Sequence, residues 1–225
     1  PLGAVVKHST LWRSRPRFES GRGYELYNNL FYIIGIICYL MEKVDIEMKF
    51  SLRNADQLIE KLKSIANPKS SYQKDTYFVP PHRDFLKQIP ISEWLRIRED
   101  DHGININYKH WHNKDDSEAI SCDELETGLE DAGTLRRILE RLDFKEIIVV
   151  EKQRNNWNHK DVIVSVDRVT GLGDFIEVEF DGVSESIEEV KEHLLGVLRE
   201  LEAEIGEQNH KGYPHLVLEK KGYFD

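Results

Sequence analysis

The chain has 225 residues, of which 40% are hydrophobic and 32% are charged, and its formal net charge is −10 at pH 7. That much apolar sequence can bury a core, which excludes a generally disordered chain. Proteins bind nucleic acids mainly by neutralising phosphates with Lys and Arg, so an acidic surface excludes strong nucleic-acid binding. We therefore expect one large or two small globular units and no nucleic-acid partner.

The segment before residue 44 differs from the rest because it is basic. Residues 1–43 hold six Lys/Arg and three Asp/Glu, and residues 1–23 have the Gly, Ser and Pro content of an irregular arm. The apolar run 30–41 is 12 residues long, whereas a membrane-spanning helix needs about 20, so we expect no membrane span. A buried helix or strand is our first interpretation of this run, and a membrane-surface or homodimer contact is the alternative. We interpret residues 1–43 as an N-terminal extension and 44–225 as the main domain.

The two cysteines, Cys38 and Cys122, provide neither a disulfide framework nor zinc-ligand spacing. A reducing compartment is the default for such a chain, so we expect a cytoplasmic protein.

After residue 44, short strand-like segments alternate with three amphipathic helices. Capping boxes predict helices after Asn54 and Ser186, the second reaching Ile205, and an apolar stripe predicts another over Thr134–Leu142. Three helices are too few to connect many parallel strands, so we predict an α+β fold with a mainly antiparallel sheet. Segments rich in β-branched and aromatic residues predict strands at 44–50, 72–79, 92–99, 104–111, 118–126, 147–154, 161–168 and 174–181.

Acidic side chains collect on the first and the last of these strands. Because side chains alternate between faces, Asp45, Glu47 and Lys49 share one face, as do Glu177 and Glu179. A closed barrel places its first and last strands side by side. The carboxylates then converge in a cluster whose mutual repulsion a divalent cation relieves. The alternative for any single strand is a sheet with one solvated face and one packed face.

Basic side chains come mainly from the middle strands. Arginine forks and lysine charges suit phosphate oxygens, and Mg²⁺ binds through a few carboxylates plus substrate phosphates. The pattern therefore predicts a metal-bound polyphosphate inside the barrel, with the apolar faces outside under the helices. Glu124 and Glu126 either join this lumen or face solvent, because the register is unknown. The predicted cations are Lys49, Arg96, Arg98, Lys109, Lys152 and Arg154.

Two other features lie outside this pattern. His110 and His112 share the face opposite Lys109, where we expect solvent or helix contacts rather than a metal. Gly171-Leu-Gly173 lacks the third glycine and helix of a dinucleotide fingerprint, and it predicts a turn between two strands.

Six segments share a pattern of alternating charged and apolar residues or a Gly-Leu-Gly turn: Val44-Asp-Ile-Glu-Met-Lys-Phe50, Gln73-Lys-Asp-Thr-Tyr-Phe78, Trp94-Leu-Arg-Ile-Arg98, Lys109, Lys152-Gln-Arg154 with Trp157, and Val166-Asp-Arg-Val-Thr-Gly-Leu-Gly-Asp-Phe-Ile-Glu-Val-Glu179. In this order they resemble the signatures of a known family, the CYTH superfamily, also called triphosphate tunnel metalloenzymes. The Gly-Leu-Gly-Xaa-Phe-Xaa-Glu-Xaa-Glu form is closest to its class IV adenylyl cyclase branch. The first acid of the signature strand is Asp45, whereas the family has a glutamate there, whose side chain is longer.

The resemblance implies a CYTH domain over 44–225, built as a closed antiparallel eight-stranded β-barrel with helices packed outside. It implies Mg²⁺ or Mn²⁺ as cofactor and a nucleoside or organic triphosphate as substrate. The implied metal ligands are Glu47, Glu177 and Glu179, assisted by Asp45 and Asp167, and the implied catalytic residues are Glu47, Lys49, Glu177 and Glu179.

The implied reaction is that of an adenylyl cyclase, from ATP to cyclic AMP and pyrophosphate. The alternatives are hydrolysis of thiamine triphosphate, tripolyphosphate or a nucleoside triphosphate, or binding of polyphosphate without turnover.

Overall fold

The computed structural model describes residues 5–9, 45–113, 119–182, 184 and 186–224, with the backbone alone for residues 5–9, 45, 113 and 119–121. The described strands are β1 (Val5–Ser9), β2 (Asp45–Leu52), β3 (Lys69–Val79), β4 (Glu93–Asp100), β5 (Gly103–Asn113), β6 (Ala119–Leu129), β7 (Lys145–His159), β8 (Val162–Val169), β9 (Gly173–Phe180) and β10 (Ile205–Gln208). The described α-helices are α1 (Ala55–Ile65), α2 (Ala132–Arg141), α3 (Ile187–Glu200) and α4 (Tyr213–Lys220).

All eight predicted strands are present as β2 to β9, and they form one antiparallel run in the order β6-β5-β4-β3-β7-β8-β9-β2. The first and last predicted strands, β2 and β9, pair directly. The end strands β2 and β6 both pair with β1, which runs antiparallel to β2 and parallel to β6. The predicted α+β fold with an antiparallel sheet is confirmed, and the sheet is strongly curved. The eight predicted strands do not close on themselves by hydrogen bonds, because β2 and β6 are connected through β1, a strand that we did not predict.

The two faces of the curved sheet differ in chemistry. On β2, Ile46, Met48 and Phe50 are buried against α1 and α3, in a cluster that also contains the outward residues of β8 and β9. Helix α2 covers Phe78 and Ile97 on another part of the same outer face. The opposite face, which we call the lumen face, carries the alternating residues of these strands, including Lys49, Lys152, Asp167 and Glu177. Helices α1, α2 and α3 therefore lie on the outside, as predicted.

Helix α4 packs across one end of the lumen face and was not predicted. Its Tyr213 and Leu218 join a buried cluster with Tyr77, Trp94 and Phe175 from the sheet. Its start is marked by Gly212, which has φ of +77°, and by Pro214 in the first turn. The apolar cluster closes this end of the lumen face and leaves the charged residues on the rest of it.

The predicted helix boundaries are only partly correct. Ser186 caps α3 as expected, since its Oγ accepts a hydrogen bond from the backbone N–H of Glu189. Helix α3 ends at Glu200, however, rather than continuing to Ile205, which begins β10 beside β2. Asn54 makes no side-chain cap for α1; its side-chain amide instead bonds the backbone of Glu202 and Glu204.

Several predictions concern residues that the structure does not describe. The apolar run 30–41, Cys38 and the Asp45 side chain lie outside the described residues. The domain boundary at residue 44 and the homodimer contact stay predictions. Within the described part of the chain, no helix has the length and apolar character needed to cross a membrane.

Candidate functional site

Three carboxylates meet on the lumen face where β2 pairs with β9. The register places Glu47 opposite Glu179 and Lys49 opposite Glu177. One carboxylate oxygen from each of Glu47, Glu177 and Glu179 lies within 4.8 Å of the other two. The arrangement supplies only hard oxygen ligands, which suits Mg²⁺ or Mn²⁺.

Lys49 contacts this carboxylate group. Its Nζ lies 2.8 Å from Glu177 Oε2. Burial opposes the charged form of Lys49, but the carboxylates of Glu177 and Glu47 outweigh it, and the pKa of Lys49 is raised. The lysine therefore stays positively charged beside the carboxylates at neutral pH.

Asp167 lies deeper on the same face and is held by cations. The guanidinium of Arg154 donates to both oxygens at 2.7 and 2.6 Å, and Lys152 Nζ is 3.2 Å from Oδ2. Tyr213 donates its hydroxyl to the same oxygen at 2.8 Å. Burial works against ionisation of Asp167, but Arg154 and Lys152 overcome it and the pKa of Asp167 is lowered. Arg154 NH2 also lies 3.2 Å from Glu177 Oε2, so it joins Asp167 to the carboxylate group.

Lys152 is a cation of the lumen face whose charge depends on the groups beside it. Burial and the neighbouring charge of Arg154 lower its pKa to about 7, against the opposing effect of Asp167 and Glu177. An anion bound beside it favours the ammonium form and raises this pKa.

A second ion cluster lies on β3 and β4. Arg98 donates to Asp75 through Nε and NH2, both at 2.6 Å, and Arg96 NH1 donates to it at 3.0 Å. Burial would raise the pKa of Asp75, but Arg96 and Arg98 lower it to about 2. Asp75 thus holds two of the predicted phosphate-binding arginines in place.

The Asp75→Asn substitution is expected to lower the free energy of unfolding by about 3 kcal/mol, because it leaves two arginines without their buried partner. The pKa of Asp75 in the folded protein lies below its usual value of 3.8, so this stabilisation is complete above about pH 4 and declines towards pH 2. Urea unfolding from neutral to acidic pH measures it. The matched control is Asp56→Asn, which breaks the exposed pair with Arg168 and is expected to change little. Equal stabilities at neutral pH would contradict a structural role for Asp75.

The structure also settles the position of the acids on β6. Lys109 Nζ lies 3.0 Å from Glu124 Oε1, and Asn107 donates its amide to Glu124 at 2.7 Å and to Glu126 at 2.9 Å. Both glutamates therefore belong to the lumen face.

All six predicted cations lie on the lumen face, and each forms an ion pair with an acid of that face. Of the predicted metal ligands, Glu47, Glu177 and Glu179 come together. Asp167 is instead occupied by Lys152, Arg154 and Tyr213.

Sequence reasoning missed two residues of the site. Asp75 lies in the segment 73–78, which resembles a family motif. Its alternation with Gln73 and Tyr77 along the strand was the signal that could have placed it on the lumen face. Tyr213 belongs to the unpredicted helix α4, and the nitrogens of Lys49 and Lys152 lie 4.8 and 5.1 Å from the centre of its ring. Such contacts are cation–π interactions that orient the two ammonium groups.

Some polar atoms of the lumen face have no hydrogen-bond partner within the described part of the protein. They include Arg96 Nε, a donor, and Gln73 Oε1 and Asn107 Oδ1, both acceptors. Buried polar atoms in proteins are nearly always bonded, to protein, water or ligand. These atoms are therefore suited to contact a polar ligand.

Comparison with known proteins adds independent information. The family model described as "CYTH domain" matches residues 43–213. The protein named "Putative adenylate cyclase MJ0240" from Methanocaldococcus jannaschii is 31% identical over 162 residues, which cover 70% of this chain and 89% of that protein.

Solved structures show the same fold. The PH1819 protein from Pyrococcus horikoshii OT3 is 31% identical, with a TM-score of 0.61, covering 78% of this chain and 99% of that one. HpAC1 from Hippeastrum, described as a putative adenylyl cyclase with a dominant triphosphatase activity, is 20% identical with a TM-score of 0.54. This second match covers 80% of this chain and 96% of the other and supports the fold alone.

Proposed function

The chain belongs to the CYTH domain family, and from this membership we propose that it is a metal-dependent enzyme acting on a triphosphate, with ATP cyclisation as its reaction. The observation that carries the proposal is that Glu47, Glu177 and Glu179 meet on the same face of the curved sheet as the six cations, two of which, Lys49 and Arg154, contact Glu177.

The proposed metal ligands are Glu47, Glu177 and Glu179. Their grouped oxygens fit a hard divalent cation, and grouped carboxylates without one repel each other. When bound, Mg²⁺ or Mn²⁺ would supply positive charge that stabilises the polyphosphate oxygens. Asp45 and Asp167 stay proposed assisting ligands, and the ion pairs of Asp167 give it a second role, in orienting Arg154.

The proposed triphosphate site is formed by the cations of the lumen face. Arg96 presents an Nε–H that has no acceptor within the described residues, and Lys152 can take up a proton beside an anion. Each charge-assisted contact to a phosphate oxygen contributes both affinity and orientation. The residues with this role are Lys49, Arg96, Arg98, Lys109, Lys152 and Arg154.

In the proposed reaction the ribose 3′-oxygen forms a bond to the α-phosphorus of ATP. The bond from that phosphorus to the bridging oxygen breaks, pyrophosphate leaves and the hydroxyl proton is released. The side chains contribute by positioning the triphosphate and by neutralising the charge that develops on it. The name of the 31% identical relative supports this choice of reaction.

The second candidate is a triphosphate hydrolase, because the same charges hold a triphosphate for attack by water on its terminal phosphorus. HpAC1, a neighbour in fold, is described as a dominant triphosphatase. A polyphosphate-binding protein without turnover is the third.

Product analysis distinguishes these candidates. The full chain is incubated with Mg²⁺ or Mn²⁺ and with ATP, thiamine triphosphate or tripolyphosphate, and the products are resolved by chromatography. We expect cyclic AMP and pyrophosphate from ATP. Orthophosphate from any of the three indicates hydrolysis, and binding without any product contradicts an enzymatic function.

Removing residues 1–40, so that the chain begins at Met41, is expected to leave turnover unchanged. All proposed metal and phosphate ligands follow this point, although the deletion removes β1 and its pairing with β2 and β6. Circular dichroism and turnover of the shortened and full chains measure the effect. A folded but inactive shortened chain would place the N-terminal segment in the active site.

A further inference from the structure

A second group of potential metal ligands lies on the outer face of the sheet, away from the lumen. On β5, His110 and His112 alternate with the lumen residue Lys109, so they point to the other side. On β6, Asp123 likewise alternates with Glu124, which contacts Lys109. The two histidines and Asp123 therefore occupy the back of the strand pair whose front carries the Lys109–Glu124 ion pair.

The three side chains are close enough to bind one ion. His110 lies directly opposite Asp123 in the antiparallel register, and His112 Nε2 is 2.8 Å from Asp123 Oδ2. The two imidazole rings have centroids 4.4 Å apart. One ligand atom from each residue lies within 4.8 Å of the other two.

Binding requires a small rearrangement of this group, in which the 2.8 Å separation of His112 Nε2 and Asp123 Oδ2 lengthens and any wider separation, up to 4.8 Å, shortens. Zinc bonds of about 2.0–2.1 Å in a tetrahedral site imply ligand atoms roughly 3.3–3.5 Å apart. The side chains of His112 and Asp123 are 45% and 64% exposed, so they can rotate without disturbing a packed core. Glu93 is the other cross-strand neighbour of His110. We do not count it as a ligand, because its carboxylate pairs with Arg83 at 2.7 Å.

We propose that His110, His112 and Asp123 form a site for a transition-metal dication with an affinity for imidazole, such as Zn²⁺. Its two nitrogen ligands and one oxygen ligand differ from the oxygen-only group of the lumen, which suits a harder ion. With three protein ligands, a fourth position stays open to solvent. The ion would link β5 to β6 directly behind Lys109 and Glu124.

This proposal reverses our expectation from the sequence that the two histidines make solvent or helix contacts. Strand alternation correctly placed them opposite Lys109, but it could not reveal the third ligand. Asp123 comes from another strand, and its position depends on the register between β5 and β6.

Calorimetric titration of the full chain with Zn²⁺, in a large excess of Mg²⁺ to occupy the lumen carboxylates, tests the site. The variants are His112→Ala and the nearly isosteric Asp123→Asn. Each substitution is expected to weaken Zn²⁺ binding by at least about tenfold, because even the loss of an outer-shell partner of a metal site lowers the metal affinity by that factor. The matched control is His102→Ala, which removes an exposed histidine from the turn between β4 and β5 and should leave the affinity unchanged.

A parent chain that does not bind Zn²⁺ would overturn the proposal. So would Zn²⁺ binding that both variants retain while folded by circular dichroism, or binding lost equally in His102→Ala. Loss of Zn²⁺ binding in Glu177→Gln but not in Asp123→Asn would assign the ion to the lumen instead. As a second readout, Co²⁺ added to the parent should give the visible absorption of a low-coordinate cobalt site, which Asp123→Asn should lose.

Discussion

Glu177→Gln is expected to reduce turnover by at least about 100-fold, the loss typical when one preorganised electrostatic contact is removed from an active site. Glutamine keeps the size of the side chain but removes its charge. The substitution therefore removes a proposed metal ligand and the partner of Lys49 and Arg154. Glu179→Gln, which changes another member of the carboxylate group, should reduce turnover similarly.

The fold should survive both changes. Fewer carboxylates reduce repulsion within the group, which offsets part of the lost attraction between Glu177 and Lys49. Circular dichroism and thermal unfolding should remain close to those of the parent. Glu60→Gln, an exposed substitution on α1, is the matched control and should retain full turnover. Full activity in both lumen variants would remove these residues from the active site.

Lys152→Met is expected to weaken triphosphate binding roughly 10- to 100-fold, since a hydrogen bond to a charged group contributes about 1.5–3 kcal/mol. Methionine keeps the length and apolar stem of the lysine. Asp167 retains Arg154 and Tyr213 as partners, so the variant should fold. Arg96→Ala should weaken binding for the same reason. Lys63→Met on the exposed face of α1 is the control.

The affinity of the parent should also depend on pH near neutrality. The pKa of Lys152 is about 7, and a bound polyphosphate raises it, so binding takes up a proton above that pH. Affinity should therefore fall as pH rises through and above 7. Calorimetry in two buffers of different ionisation enthalpy measures the proton uptake, which Lys152→Met should lose. Affinity and proton uptake unchanged in this variant would exclude Lys152 from the site.

Much of the lumen was predictable because strand alternation is a strong constraint. It placed Glu47 with Lys49 and Glu177 with Glu179, and the pairing of β2 with β9 joins the two sets. Alternation likewise placed Arg96 with Arg98 on β4 and Lys152 with Arg154 on β7, and we assigned both pairs to the lumen face. The grouping of the three carboxylates therefore follows from the sequence.

The remaining features depend on contacts between distant parts of the chain. Tyr213 bonds Asp167 from a helix 46 residues further along the sequence, and no local pattern specifies that contact. The faces of Glu124 and Glu126 depended on the register of β6, because a shift by one residue exchanges the two faces. Asn54 occupies a position where the sequence predicts a helix cap. Its side chain instead hydrogen-bonds the backbone of Glu202 and Glu204.

The most direct test of the central claim is calorimetric titration of the full chain with tripolyphosphate, with and without Mg²⁺. Tripolyphosphate has no base or sugar, so its binding reports only the metal and cation contacts of the lumen face. We predict a single site whose affinity rises at least about tenfold with Mg²⁺, and Glu177→Gln should lose this rise. No binding, or binding that neither Mg²⁺ nor Glu177→Gln and Lys152→Met changes, would contradict a metal-bound triphosphate site in the lumen.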